Sequence, residues 1–512
     1  MAHKYLIGID NGTSGAKCIA VDETGKVAAS ATVEYPLYTP RPGWAEQKPE
    51  DWWNAVAEGL NKIVKCVPRD EIAGVSFSGQ MHGLVALDEA NQVIRPAILW
   101  CDQRTQKQCD WITEKAGGAQ GLLEYTNNAM LTGYTGGKLL WLREEEPDNF
   151  AKMHRFICPK DYIRFQLTGE LATDVSDASG TGFFNTRERR WSDSLIELAG
   201  LPRSIFPDVL ESCERAGRVT REAAQATGLP EGLPVYAGGG DAVIQTTGAG
   251  LIEPGILGVV IGTAGNVSMG LKGYADNPGG KLQMFCNNAP DLWHAFGCTL
   301  TAGGAYRWYR DTLCEMDCAV ARHLGVNAYD AMGAQAERSR PGSNGVVFLP
   351  YLTGERCPYP DPNARGAFYG LSLSTSRGDM NRAVMEGVTY SLRQVGDLMR
   401  TLAAPEKIYV SGGGSTSKLW RQIVADVFRL PVYTMSAASE GGAYGAVLVA
   451  GVGAGVWKDL REAAGVLHVE TSTEPNPANY AAYEDSFGIY ARLYGALKPV
   501  FDFCLLYTSR CV

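Results

Sequence analysis

Three consecutive glycines deliver a carboxylate in Ala237-Gly238-Gly239-Gly240-Asp241-Ala242, at the start of an apolar stretch that reads as a helix. Phosphoryl transfer to an alcohol needs a group that orients the hydroxyl and takes its proton as the bond to phosphorus forms, and Asp241 suits that role. A helix N-cap is the plainer role for an Asp so placed, but capping does not account for three glycines in a row. Two further turns have the composition of phosphate cradles. Ile9-Asp10-Asn11-Gly12-Thr13-Ser14-Gly15 and Val260-Ile261-Gly262-Thr263-Ala264-Gly265 each run from an apolar strand into G-T-[SA]-G, where glycine lets backbone N–H groups approach an anion. Gly12, Thr13 and Ser14 in the first, and Gly262 and Thr263 in the second, are the candidate contacts. Asp10 would repel a neighbouring phosphate unless it held Mg2+, directly or through water; capping the turn is its alternative. A third cluster, Val410-Ser411-Gly412-Gly413-Gly414-Ser415, follows a strand and precedes a helix beginning near Lys418. Gly412 and Gly413 there either pass under a flat adenine or ribose or form a tight structural turn.

These residues need strands that end in turns. Lys4 to Asp10, Cys18 to Asp22 and Val27 to Val33 read as a three-strand meander turning at Gly25, followed by a helix from Pro49 to Val64 with Trp52, Trp53, Val56 and Leu60 on one face. Ile256 to Ile261, Gly265 to Met269 and Trp293 to Gly297 repeat the meander, and the two G-T-[SA]-G turns stand 250 residues apart in a chain of 512. Duplication of one α/β domain gives that spacing. Val346 to Leu349 and Ile408 to Val410 read as central strands of the second half. The halves are expected to divide near Gly248 to Pro254, giving domains 1–247 and 248–503. A tail of 504–512 has no assigned role and does not extend the helical pattern before it. Neither G-x-x-x-x-G-K-[ST] nor an early G-x-G-x-x-G is present, which removes the main support for a P-loop or Rossmann site. Two phosphate turns, one from each half, would instead clamp a triphosphate in a cleft between two domains, the plan of actin and hexokinase.

Composition narrows the partners. Lys and Arg number 47 against 56 Asp and Glu, without long runs of one sign, so neither nucleic acid nor an anionic membrane is expected. The uncharged, Gly-rich stretch Ala443 to Trp457 is too short to span a bilayer and reads as buried helix and turn. Thirteen Cys without a CxxC pair suit reduced thiols and a cytoplasmic protein. Six scattered His residues lack metal-ligand spacing, and G-x-S-x-G fails at Gly74 to Ser78.

From Leu6 to about Leu493 the chain resembles the FGGY family of carbohydrate kinases. Gly133-Tyr134-Thr135-Gly136-Gly137-Lys138 through Glu145 is similar to the family's first signature, and Gly366 to Leu371 with Arg382 to Glu386 to its second. Within the family the kinases of xylulose are the most similar, chiefly through Ser78-Gly79-Gln80-Met81-His82-Gly83 and Leu99-Trp100-Cys101-Asp102-Gln103-Arg104. The resemblance implies two actin-like (ribonuclease H-like) domains with the catalytic cleft between them, and transfer of the γ-phosphate of Mg·ATP to a small-molecule sugar, D-xylulose first. It implies substrate contacts at Met81, His82, Trp100 and Asp241, with Asp241 as general base. Gly12 to Ser14 and Gly262 to Thr263 would contact phosphate, Asp10 would serve the metal, and Gly412 and Gly413 would contact adenosine. The sequence departs from the xylulose branch at Ala242, where an Asn that touches the sugar is usual. Ribulose, fuculose, gluconate, erythritol and glycerol therefore stay open as acceptors. A non-catalytic sugar sensor and an actin-like ATPase are the readings of other classes. Dimers are common among such relatives, so a homodimer stays open too.

Overall fold

The structure, a computed structural model, describes residues 4–436 and 440–508. It falls into two compact units, each α/β. Unit 1 comprises Met1–Glu253, Gly270–Ala295 and Glu440–His468; unit 2 comprises Pro254–Met269, Phe296–Ser439 and Val469–Val512.

In unit 1 the expected meander is present as β1 (Tyr5–Asn11), β2 (Gly15–Asp22) and β3 (Val27–Glu34), antiparallel with Ile9 opposite Cys18 and Cys18 opposite Ala31. The strand β4 (Ile72–Gly79) lies parallel to β1, with Asp10 level with Ser78, and the short β5 (Gly239–Gly240) lies parallel to the end of β4. Both faces of the sheet are covered, as its near-continuous apolar strands require. The helix Pro49–Ile63, with Pro in its first turn and acidic Glu50 and Asp51 near its positive end, buries Trp52, Val56 and Leu60 in a core with Ile7, Ile9 and Phe77. On the other face the helix Gly441–Gly453 approaches so closely that a Cβ at Gly8 would overlap Ala443 O.

Unit 2 repeats the plan. The strands β6 (Ile256–Ile261) and β7 (Gly265–Leu271) are antiparallel, with Ile261 opposite Gly265. Parallel to β6 runs β8 (Lys407–Ser411), with Val260 level with Ser411. Beyond it come β9 (Val432–Met435), parallel, and β10 (Val469–Thr473), antiparallel. Ile408 to Val410 is a central strand, as read.

Two readings need correction, the strand at Val347 and the end of the last helix. Val347–Leu349 is no central strand but half of a two-stranded ribbon with Ala367–Tyr369. Its apolar run is buried by the helix Arg377–Arg400 and by Phe368, 4.6 Å from Phe348, and a Cβ at Gly387 on that helix would overlap Phe348 O. The first division of the compact units falls at Glu253, near the expected boundary, and 270–295 and 440–468 pack with unit 1. The last helix is Tyr480–Thr508 and so passes the expected break at Cys504; residues 509–512 lie outside those described.

Candidate active site

Asp241 is the first residue of the helix Asp241–Gly248, whose N-cap is Gly240. It is therefore placed by the glycine turn without serving as the cap. Each glycine answers a packing demand. Gly238 has φ 80°, and a Cβ there would overlap Phe77 O. A Cβ at Gly239 would overlap the Asn288 amide, and one at Gly240 would lie 2.5 Å from Met81 Cγ. The Gly240 N–H donates to Ser176 Oγ at 3.0 Å, and Ser176 Oγ donates in turn to Asp174 at 2.5 Å. Asp174 is held 2.8 Å from the ammonium of buried Lys160, so a buried polar relay fixes the turn from behind. The Asp241 carboxylate accepts from the backbone N–H groups of Ala242 and Met81. Desolvation first, then the charge of Asp10, nevertheless push its pKa up to about 7.

Asp10 ends on β1 beside Ser78, whose Oγ donates to Asp10 Oδ1 at 2.7 Å. Burial raises its pKa, opposed by Ser78 and by the charge of Lys17. Two neighbouring, partly desolvated carboxylates are oxygen donors whose mutual repulsion a divalent cation relieves, so Asp10 fits a Mg2+ position. The turn after it is tightly braced. Tyr35 Oη donates to Gly12 O and to Asn11 Oδ1, and Gln47 Nε2 donates to Thr13 O at 2.8 Å. Gln80 Nε2 donates to Gln47 Oε1 at 2.9 Å, and Trp100 Nε1 donates to Thr13 Oγ1 at 2.9 Å. Ser14 is exposed next to this bracing.

Met81 is buried, and half-buried His82 follows it in the left-handed region at φ 69°. His82 Nδ1 lies 2.6 Å from Gly180 O. A carbonyl only accepts, so Nδ1 carries the hydrogen, and in the neutral ring Nε2 is the acceptor. Tyr134 flanks the ring at 4.7 Å. Trp100 is 39% exposed, leaving a wide apolar face open. Unit 1 thus brings Asp10, Gly12, Thr13, Met81, His82, Trp100 and Asp241 to the carboxyl ends of β1, β4 and β5, the end of parallel strands at which ligands are commonly bound.

Unit 2 gathers the remaining candidates separately. Gly262, Thr263 and Gly413 line a cavity of about 640 Å³, within the range of nucleotide-sized pockets. Gly412 adjoins it at φ 82°, where a Cβ would come 2.7 Å from Ile261 O. The β6–β7 turn is braced by the start of the helix Gly303–Leu313: Gly303 N donates to Gly262 O at 2.7 Å and Ala302 N to Thr263 O at 2.9 Å.

The models for the N-terminal and C-terminal domains of the FGGY family of carbohydrate kinases match residues 5–248 and 259–454. The chain belongs to that family. A xylulose kinase of Lactococcus lactis subsp. lactis (strain IL1403) is 37% identical over 96% of each chain. A gluconokinase of Bacillus subtilis (strain 168) is 33% identical over 84% of this chain and 83% of its own. The crystal structure of ligand-bound xylulose kinase from Lactobacillus acidophilus superposes with a TM-score of 0.90 at 28% identity, covering 98% of this chain and 99% of that one.

For an FGGY carbohydrate kinase the two signature segments now have physical reasons. In the first, Gly136 and Gly137 leave room for Phe183 and Cys109, and Tyr134 and Lys138 reach His82. In the second, the buried Arg382–Glu386 ion pair at 2.7 Å ties down Gly342, Ser343 and Tyr483, which is support rather than chemistry. Sequence reasoning gave Ser78, Gln47 and Gln80 no role of their own and missed the Gly303-Gly304 pair. That pair carried a readable signal, glycines just after a strand; the others make contacts 33 or more residues away that no local pattern announces. Asn327, Asp330 and Glu337, which line the unit 2 cavity, were likewise missed.

Proposed function

We propose that this carbohydrate kinase transfers the γ-phosphoryl group of Mg·ATP to a terminal hydroxyl of a ketopentose, with D-xylulose the foremost acceptor. The observation that carries the reading is Asp241, a desolvated carboxylate held at the acceptor end of unit 1 with its pKa raised to about 7, in the range suited to a base working near neutrality. Ionised, it accepts the hydroxyl proton as the acceptor oxygen bonds to phosphorus and the bond to the nucleotide's leaving oxygen breaks. His82 Nε2 accepts a second sugar hydroxyl, while Met81 and Trp100 pack on the carbon chain. Backbone N–H groups of Thr13 and Ser14 and of Gly262 and Thr263 hold phosphate oxygens, with Gly12, whose own N–H donates to Gly15 O at 3.1 Å, closing the first turn beside them, and adenosine occupies the unit 2 cavity over Gly412 and Gly413. Asp10 would hold Mg2+, which when bound would supply charge neutralisation at the transferring phosphate.

Xylulose stands ahead because a relative bearing that name is 37% identical over nearly the whole chain, against 33% over a shorter span for the gluconokinase. Ala242 offers a methyl group in place of the expected amide, so the acceptor is tested rather than assumed. A cytoplasmic location fits the scattered, unpaired cysteines. The deciding experiment is ADP release from Mg·ATP against D-xylulose, L-xylulose, D- and L-ribulose, L-fuculose, gluconate, erythritol and glycerol. D-xylulose standing well above the others supports the proposal in full. Another acceptor winning keeps the kinase and replaces the substrate, and no stimulation by any of them rejects the reading.

A further inference from the structure

Lys138 is fully buried on the helix Thr135–Glu145, and its ammonium donates to two backbone carbonyls, His82 O and Gly133 O, each at 2.5 Å. Removing an ammonium from water is costly unless its protons find good acceptors, and lysine is almost never buried without such compensation. Asp102 supplies the largest favourable charge, with smaller contributions from Cys158, Cys101 and Cys109. Burial outweighs that charge and lowers the pKa to about 7. A cost of this kind is understandable where the amine holds something that does not hold itself.

Both carbonyls belong to the acceptor site. His82 sits at φ 69°, a backbone conformation unfavourable for any residue with a Cβ. Gly133 packs against the Trp100 backbone, since a Cβ there would lie 2.7 Å from Trp100 O. One amine therefore joins the strained residue that presents an imidazole to a glycine packed against the backbone of the residue that presents an indole. Tyr134, one turn earlier on the same helix start, adds its ring to the His82 ring. We infer that Lys138 is a positioning residue of the acceptor site, holding the His82 backbone in its left-handed conformation and fixing the spacing between His82 and Trp100. The inference rests on the sugar-kinase reading above and deepens it.

The test is Lys138→Met, with Lys138→Gln as the milder variant that keeps an N–H donor. Steady-state kinetics with the best acceptor, Mg·ADP binding by calorimetry and thermal melting are measured on each. Loss of a charge-assisted pair of hydrogen bonds is expected to raise acceptor KM about ten- to a hundredfold in Lys138→Met, with Lys138→Gln between it and wild type. Nucleotide affinity should stay within about twofold. Unchanged acceptor KM, or equal losses at the acceptor and nucleotide sites, would overturn the assignment. Failure of both variants to fold would also overturn it, making Lys138 a residue of the core. A wild-type chain that no sugar stimulates fails earlier and rejects the sugar-kinase reading itself, whereas an active wild type with an indifferent Lys138→Met rejects this inference alone.

Discussion

Asp241 works as a base only when ionised, and its raised pKa sets where that happens. Turnover is expected to climb as pH rises through about 7 and to level off above it, read from kcat at saturating acceptor and nucleotide. Asp241→Asn should lower kcat by about two to four orders of magnitude while acceptor binding, followed by calorimetry, persists. Stability should move the opposite way. The folded pKa lies above the ordinary aspartate value of 3.8, so the folded state binds this proton more tightly than the unfolded chain. The resulting stability is fully present below about pH 4 and is lost as pH rises to about 7. Asp241→Asn, which carries no charge to desolvate, should therefore melt higher than wild type at pH 8 and level with it near pH 4; equal melting at pH 8 would contradict the desolvation argument. Next to it, Ala242 offers no hydrogen bond of its own side chain. Ala242→Asn should lower the KM for D-xylulose by a factor of about 2 to 10, the worth of one neutral hydrogen bond, and sharpen its discrimination against glycerol. A KM unchanged for all acceptors would place position 242 outside the sugar's reach.

At the scale of elements, the sequence carried much of the site because its turns are written in glycine. Gly12, Gly262 and Gly412 each follow a strand with an apolar, partly β-branched run, and such strand–turn units can be read locally. The reason for the Gly238-Gly239-Gly240 run was only half legible. A ligand-binding turn explains why glycine is tolerated, but the demand comes from Phe77, Asn288 and Met81, which are remote in sequence. The ribbon Val347–Leu349 misled for a related reason: full burial looks the same in sequence whether a sheet or a helix supplies the cover. The bracing of the unit 2 turn yields a prediction of its own. A Cβ at Gly303 would lie 2.7 Å from Gly262 O, a backbone atom that cannot turn aside as a side chain would. Gly303→Ala should therefore displace the Gly262–Thr263 turn and raise the KM for ATP several-fold, leaving the acceptor KM unmoved. Equal effects on both substrates, or none, would show that this turn does not bear on the nucleotide.

For the molecule as a whole, the repeated strand plan was visible in the 250-residue spacing of two short turns, but the way the chain is shared between the units was not. The helix Gly441–Gly453 shows why. It is apolar all round, so it has no amphipathic stripe to say which sheet it covers. Its glycines do the fitting: a Cβ at Gly442 would overlap Ser78 Oγ, and one at Gly445 would overlap Ile244 O. Tyr444, Val447, Leu448 and Val449 are fully or almost fully buried. A chain ending at Glu253 would keep the meander, the glycine turn and Asp241, yet it would leave one face of that sheet without its cover. Uncovered apolar surface of this extent drives aggregation rather than a folded domain. The fragment 1–253 is thus expected to be insoluble or to lack a cooperative melting transition, even though it spans the whole of the N-terminal family match at residues 5–248. Fusing residues 440–468 to it through a flexible linker should recover solubility at least in part, measured by circular dichroism and thermal melting, because that segment belongs to unit 1. A fragment 1–253 that melts cooperatively on its own would mean that the helix Gly441–Gly453 is an addition to unit 1 and that the continuous domain of the sequence reading was the better description.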